Sequence, residues 1–332
     1  RVGVASARLA QFLRQRRLCT SSNKNGSTAI SVANTRSFDS NSEAFEYEKQ
    51  KFGKGSIQKI VVKVTDHEGN AKSFLMNKNI STPFDVACHI SSVYADSLAL
   101  CIVRGDDEAL TSLHEPLAQE CEIEFISFHS HKHADLVNEA FWRSSSLLLG
   151  NVLHSAFATP TQLIGADEID FRRGFFTYDV RCDALADWTV EKKDLASLAV
   201  AVYSDLIAKS LPFQVLRLPQ SSCANFYAQK SESSDDQLLL CRLGEVVEKI
   251  KGPVVSHAGQ IGRFAIVKAS EKGGIWRFSG VALPTAQPIS SYNWSLITER
   301  ARKVRPLTLT PKILSTYFSG LAIAPTMDCY VC

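Results

Sequence analysis

The sequence predicts an α+β protein built from two domains. Three observations carry that prediction. Residues 57–64 and 72–76 are strand-like runs on either side of a polar turn, and residues 122–128 alternate charged and apolar side chains as half-buried strands do. A helix start, Ser81-Thr82-Pro83, falls between them, with a hydroxyl to cap the helix and proline at its first turn. Further on, residues 136–157 run without a proline and repeat apolar side chains at helical spacing, as a long central helix does. At 332 residues and 45% hydrophobic composition, the chain can fill more than one core.

Residues 1–38 hold seven arginines and lysines and no acid; the first acid is Asp39. Val4, Leu9, Phe12 and Leu13 line one helical face, and a Ser/Asn-rich tract follows. Arg-rich, Ser-rich and acid-poor is the composition of a mitochondrial transit segment; a secretory signal needs a continuous apolar stretch. The remaining residues carry 30 basic against 34 acidic side chains, so the formal net charge of +3 belongs to the N-terminal segment. A uniformly basic nucleic-acid binder is therefore excluded.

Residues 39–55 are polar and charged and read as a linker or a short exposed helix. The first domain spans 56–128. Strands at 57–64 and 72–76, a helix from Ser81 carrying Val86, Ala87 and Ile90 inward, a strand at 99–104 and a strand at 122–128 give a β-β-α-β-β order, the outline of a ubiquitin-like β-grasp. His129-Ser130-His131-Lys132-His133 reads as a solvated connection; a closed zinc site would need further ligands. The second, larger domain spans 134–303. After its central helix come a strand at 174–180 and an amphipathic helix at 195–208 stopped by Leu211-Pro212-Phe213. A polar acidic loop at 231–236, a strand region at 241–247, a Gly273-Gly274 turn between strands and a helix at 294–303 ending in Arg300, Arg302 and Lys303 complete it. Residues 304–332 form a C-terminal tail.

The usual chemical motifs are missing. There is no phosphate-binding G-x-x-x-x-G-K-[ST], no H-E-x-x-H and no G-x-S-x-G. Most of the nine cysteines, Cys88 and Cys101 among them, lie in apolar surroundings and read as buried free thiols. Cys329-Tyr330-Val331-Cys332 has metal-site spacing but no second pair. No apolar run reaches the roughly 18 residues of a membrane span. The densest basic run outside the N-terminal segment is Lys249, Lys251, Arg263, Lys268 and Lys272, the candidate RNA-binding residues.

One stretch carries a resemblance. Phe141-Trp142-Arg143-Ser144-Ser145-Ser146-Leu147-Leu148-Leu149-Gly150 resembles the F-W-H-S-S-A-H-x-x-G segment of the editing domain of threonyl-tRNA synthetases. Ile250-Lys251-Gly252-Pro253-Val254 is similar to that family's C-R-G-P-H, and Gly174-Phe175-Phe176-Thr177-Tyr178-Asp179 to its G-F-Y-Y-D with one residue extra. Trp276 to Pro284 resembles the R-x-x-G-x-x-x-P boundary. Ser81-Thr82-Pro83-Phe84-Asp85-Val86-Ala87 resembles the S-T-P-x-D-V-A signature of the ubiquitin-like TGS domain that opens those enzymes.

The resemblance implies a TGS-like β-grasp followed by an editing-like module. It also implies lost chemistry. Arg143, Leu147, Ile250 and Val254 stand where the family has two histidines, a cysteine and a histidine. Leucine, isoleucine and valine neither ligate a metal nor transfer a proton, and an arginine that stays protonated is a poor base. No catalytic residue, metal, cofactor or small-molecule substrate is expected. His257, close by, reads as structural. Three apolar replacements should close the cleft, and Arg143 should turn outward or find a carboxylate or a phosphate, because a buried unpaired charge is costly. The synthetase's catalytic half has no counterpart before Cys332, so aminoacylation is not expected.

A transit-like start joined to these two domains is similar to a family of mitochondrial large-ribosomal-subunit proteins. That resemblance implies a non-enzymatic, RNA-associated role in translation in the mitochondrial matrix. The implied partners are the large-subunit rRNA and neighbouring ribosomal proteins. A free-standing hydrolase of mischarged tRNA and a soluble tRNA-binding module are the alternatives.

Overall fold

The computed structural model describes residues 38, 40–53, 56–65, 71–157, 159–166, 174–186, 188–219, 226 and 237–303. The transit-like segment up to residue 37, the turn at 66–70, the loop at 231–236 and the C-terminal tail with its C-x-x-C lie outside the described residues. The architecture is mixed α+β with three sheets.

The stretch expected to be a linker or exposed helix is α1 (Asn41–Gly53), and one side of it is buried. Ala44 and Phe45 pack with Phe38 against Leu216, Leu218, Leu238, Leu240 and Val247. Glu46 pairs with Arg242, whose guanidinium lies 5.0 Å over the Phe45 ring. The charged composition concealed this because Glu46 has its partner nearly 200 residues away.

The first sheet contains β1 (Lys59–Thr65), β2 (Ala71–Asn77), β3 (Leu98–Arg104), β4 (Glu108–Thr111) and β5 (Cys121–Ser127). Its order is β2-β1-β5-β3-β4, with β1 parallel to β5 and the other pairs antiparallel. Two helices, α2 (Pro83–Ile90) and α3 (Ser92–Ser97), join β2 to β3. The α2 cap is the expected one: Thr82 and Asp85 form a reciprocal capping box with Pro83 in the first turn. Ile60, Val62 and Val64 alternate inward to meet Met76, Val86, Ala87, Leu113 and Ile123. Cys88 falls off that face and is exposed, contrary to its apolar neighbourhood in sequence, whereas Cys101, Cys121, Cys182 and Cys241 are buried free thiols. The four-residue β4 is too short to stand out in the sequence.

The second part is organised by α4 (Ala134–Ala156), the expected central helix. The strands are β6 (Gln162–Ala166), β7 (Phe176–Arg181), β8 (Gln214–Pro219), β9 (Gln237–Leu243), β10 (Val246–Lys249), β11 (Ile261–Lys272) and β12 (Ile275–Pro284). Helix α5 (Lys192–Val202) runs into one wide turn at Tyr203–Ile207. Helix α6 (Ser291–Lys303) starts three residues earlier than the sequence suggests, with the Ser290 Oγ accepting from Asn293 N. β11-β12-β7-β6 form a four-stranded sheet, and β10-β9-β8 a three-stranded one covered by α1. The β11–β12 hairpin turns on Gly273 and Gly274 at φ +63° and +77°, the paired positive φ of a two-residue turn.

Leu148, Leu149 and Leu153 of α4 pack onto Phe176, Tyr178, Val180, Ile266 and Phe278 of the four-stranded sheet. The same core takes in Leu100, Ile102 and Ile126 from the outer face of the first sheet. The first sheet therefore serves two cores, one on each face. No helix among the described residues is long and apolar enough to cross a membrane.

Candidate functional site

The fold brings Arg143, Leu147, Ile250 and Val254 together where α4 meets the 250–256 loop. Leu147, Ile250 and Val254 are all buried in the large core. Arg143, one turn before Leu147, lies against the loop. Its guanidinium atoms stand 3.0–3.1 Å from where a Cβ on Gly252 would be, so glycine at 252 makes room for it. Nη1 donates to the Pro253 carbonyl at 2.5 Å and Nη2 to the Glu139 carboxylate one turn back. Burial pushes the guanidinium down from its ordinary value, and Glu139 opposes that. Arg143 thus does find a carboxylate, and it does so with its side chain only 13% exposed.

Serines fix the loop. The Ser144 hydroxyl donates to Ala140 O at 2.8 Å and accepts from Val255 N at 2.9 Å. Ser112, from the segment after β4, accepts from Val254 N at 2.9 Å. Ser145 and Ser146 return their protons to α4 carbonyls, so none of the three buried serines of the helix is left unsatisfied. The Val254 amide is thus held by a side chain from 142 residues earlier in the chain.

Two histidines lie behind the loop. His114 Nε2 is 3.2 Å from Ser256 Oγ, and burial pushes its ring down to about 4. A serine beside a histidine suggests a nucleophile and its base. Ser256, however, is 0% exposed and its amide is tied to Gln260. His257 has both ring nitrogens buried, and burial lowers it against the pull of Asp96. Among the described residues no three His, Cys, Asp or Glu side chains converge as a metal site requires. His131 and His133 sit in a short turn whose nearest acid is Glu124, 3.6 Å from His133 Nε2.

Sequence reasoning passed over one titratable pair. Tyr178 donates its hydroxyl to Glu248 across the face of α4 at Gly150. Burial pushes the Glu248 carboxyl up to about 7, and Tyr178 partly offsets this. Such a shift suits a general base, but the carboxylate faces a ring that is 1% exposed inside the core. The signal for it was Gly150, a glycine inside an otherwise strong helix.

The five candidate RNA-binding residues do not form one patch. Lys249 and Lys251 belong to the end of β10 and the turn after it. Arg263, Lys268 and Lys272 lie on one face of β11, in a different sheet. Arg263 is further set apart, with its guanidinium 3.5 Å from Ile289 O beside α6.

No protein-family model matches the chain. It is 27% identical over 284 residues to the large ribosomal subunit protein mL39 of Drosophila melanogaster, covering 80% of this chain and 83% of that one. It is 26% identical over 247 residues to the probable cytoplasmic threonine–tRNA ligase 1 of Dictyostelium discoideum, covering 70% of this chain and 32% of the ligase. Against the human mitochondrial threonine–tRNA ligase the figures are 25% over 229 residues, 64% and 28%. The chain spans about a third of the length of the ligases it matches. It is similar to mL39 along most of its length and, over a shorter stretch, to threonine–tRNA ligases.

Proposed function

We propose that this protein is a non-catalytic structural component of the mitochondrial large ribosomal subunit, held in the matrix by rRNA and neighbouring ribosomal proteins. The observation that carries the reading is the converted site. Leu147, Ile250 and Val254 are built into a core, and the loop between them is bonded to α4 and to the first domain. Similarity to mL39 over four-fifths of the chain supports the setting. The parallel β1–β5 pair at the centre of the first sheet, with α2 packed on one face, supports a TGS-like β-grasp at 56–128. The central helix with its four-stranded sheet supports an inactive editing-like module at 134–303. Arg143 is held by Glu139 and Pro253, and the leucine, isoleucine and valine at the other three positions neither take nor give a proton.

Sedimentation of mitochondrial lysate tests the reading. The protein is expected to travel with the large subunit and to stay there through a moderate rise in salt, because contacts to protein add to those with phosphate. Recovery in a free pool at the top of the gradient would overturn it. The purified protein is also expected to leave seryl-tRNA carrying the threonine anticodon at its spontaneous rate of hydrolysis. Deacylation above that rate, lost in His257→Ala, would put an editing hydrolase in its place.

A further inference from the structure

Sheet register assembles a basic surface that the sequence keeps apart. In an antiparallel pair, residues directly opposite each other point to the same face. Lys268 pairs with Ser279, Ser270 with Arg277 and Lys272 with Ile275. Arg277 pairs in turn with Asp179 of β7, and Arg181 lies two residues along on the same face. The inner face of these strands carries Tyr178, Val180, Trp276 and Phe278 in the core. The outer face therefore presents Arg181, Lys268, Lys272 and Arg277 together.

Helix α6 covers only one end of that face. Its Trp294 and Ala301 pack on Phe175, Val267 and Val281, between Arg263 and the four cations. Asp179 is the acid among them, and Arg277 grips it with two bonds of 2.8 and 2.6 Å. Arg181, Lys268 and Lys272 pair with no carboxylate among the described residues. Ser270 adds an exposed hydroxyl. This concentration of charge stands out in a body where acids outnumber bases.

We propose that the open end of this sheet face binds the phosphodiester backbone of RNA, through Arg181, Lys268 and Lys272, with Arg277 held in place by Asp179. Lysine and arginine ammonium and guanidinium groups spaced along a flat surface fit successive phosphates, and the hydroxyl of Ser270 fits a phosphate or ribose oxygen. Among the described residues no aromatic side chain lies on the strand positions of this face between these cations, so the surface reads backbone and not base. The surface rests on the ribosomal reading for its setting and on charge and geometry for its chemistry. It lies on the opposite side of the sheet from the converted site.

The test uses the full chain and a labelled 20-base-pair RNA duplex, with binding followed across a salt series. The triple variant Arg181→Gln, Lys268→Gln, Lys272→Gln should lower the slope of log K against log salt by about three units, roughly one per phosphate contact. It should weaken binding at least tenfold at low salt. The pair Lys59→Gln, Lys63→Gln on the first sheet should change neither quantity. All three substituted side chains reach solvent, and an unchanged melting curve confirms that the variant folds. An unchanged slope, or crosslinks from residues 268–277 of the assembled particle to protein alone, overturns the proposal. Sedimentation separates it from the ribosomal reading: a wild-type chain that joins the large subunit while the triple variant keeps its slope sinks only the surface. A free wild-type chain with a reduced slope in the variant sinks only the setting.

Discussion

Gly150→Ala lowers stability by about 2–4 kcal/mol. In most helices this exchange is favourable by about 1 kcal/mol, since glycine is the weaker helix former. Here a Cβ would stand 2.5 and 2.6 Å from two atoms of the Tyr178 ring and 2.8 Å from a Glu248 oxygen. The ring is 1% exposed and has nowhere to retreat. Overpacking of this kind costs about 1–3 kcal/mol, and breaking a hydrogen bond to a carboxylate costs about 1.5–3 kcal/mol more. Denaturant unfolding of the two proteins measures the difference. Adding Tyr178→Leu frees the space, so the double variant should lose less than the sum of the singles. Equal stability of Gly150→Ala and wild type would show that α4 and β7 are not in this contact.

The second large effect is on pH. The Glu248 carboxyl is raised to about 7 by burial, whereas in the unfolded chain it titrates near its ordinary 4.5. Between these values the folded state holds a proton that the unfolded state has released, so stability falls as pH rises from about 4.5 to 7 and stays low above that. Each pKa unit is about 1.4 kcal/mol, which makes the cost on the order of 3 kcal/mol at neutral pH and above. Glu248→Gln keeps an acceptor for the Tyr178 hydroxyl and carries no charge. It should gain most of that stability at pH 8 and little at pH 4.5. Thermal melting of the two proteins across that range gives converging curves at low pH; parallel curves would contradict the buried carboxyl.

The two effects come from a pair that the sequence hid, and the reason is instructive. Local chemistry was readable where neighbours in sequence are neighbours in space. The Thr82–Asp85 cap, the Gly273-Gly274 hairpin and the long α4 all depend on residues within a few positions of one another. Positions 143, 147, 250 and 254 were singled out through resemblance alone, since nothing in the spacing of Leu147, Ile250 and Val254 marks them. Contacts that cross the chain were not readable. Glu248 meets Tyr178 over 70 positions, and Arg242 of the three-stranded sheet meets Glu46 of the helix that covers it. The basic run failed for the same reason in reverse. Lys251 and Arg263 are close in sequence and lie off different sheets, while Arg181 and Lys268 are far apart and share a face through strand pairing.

The bond from Val254 N to Ser112 Oγ spans 142 residues of chain. During synthesis, the first sheet is complete well before the last of the residues that share the core on its second face exist. At about 5–20 residues per second, the ribosome that makes this protein needs on the order of ten seconds to close that interval. Through it Leu100, Ile102 and Ile126, all buried in the finished protein, have only part of the core that will enclose them. The hazard for this chain is therefore set by time: its nascent first half is adhesive until α4 and the 250–256 loop arrive, and that is the period in which a chaperone has something to hold.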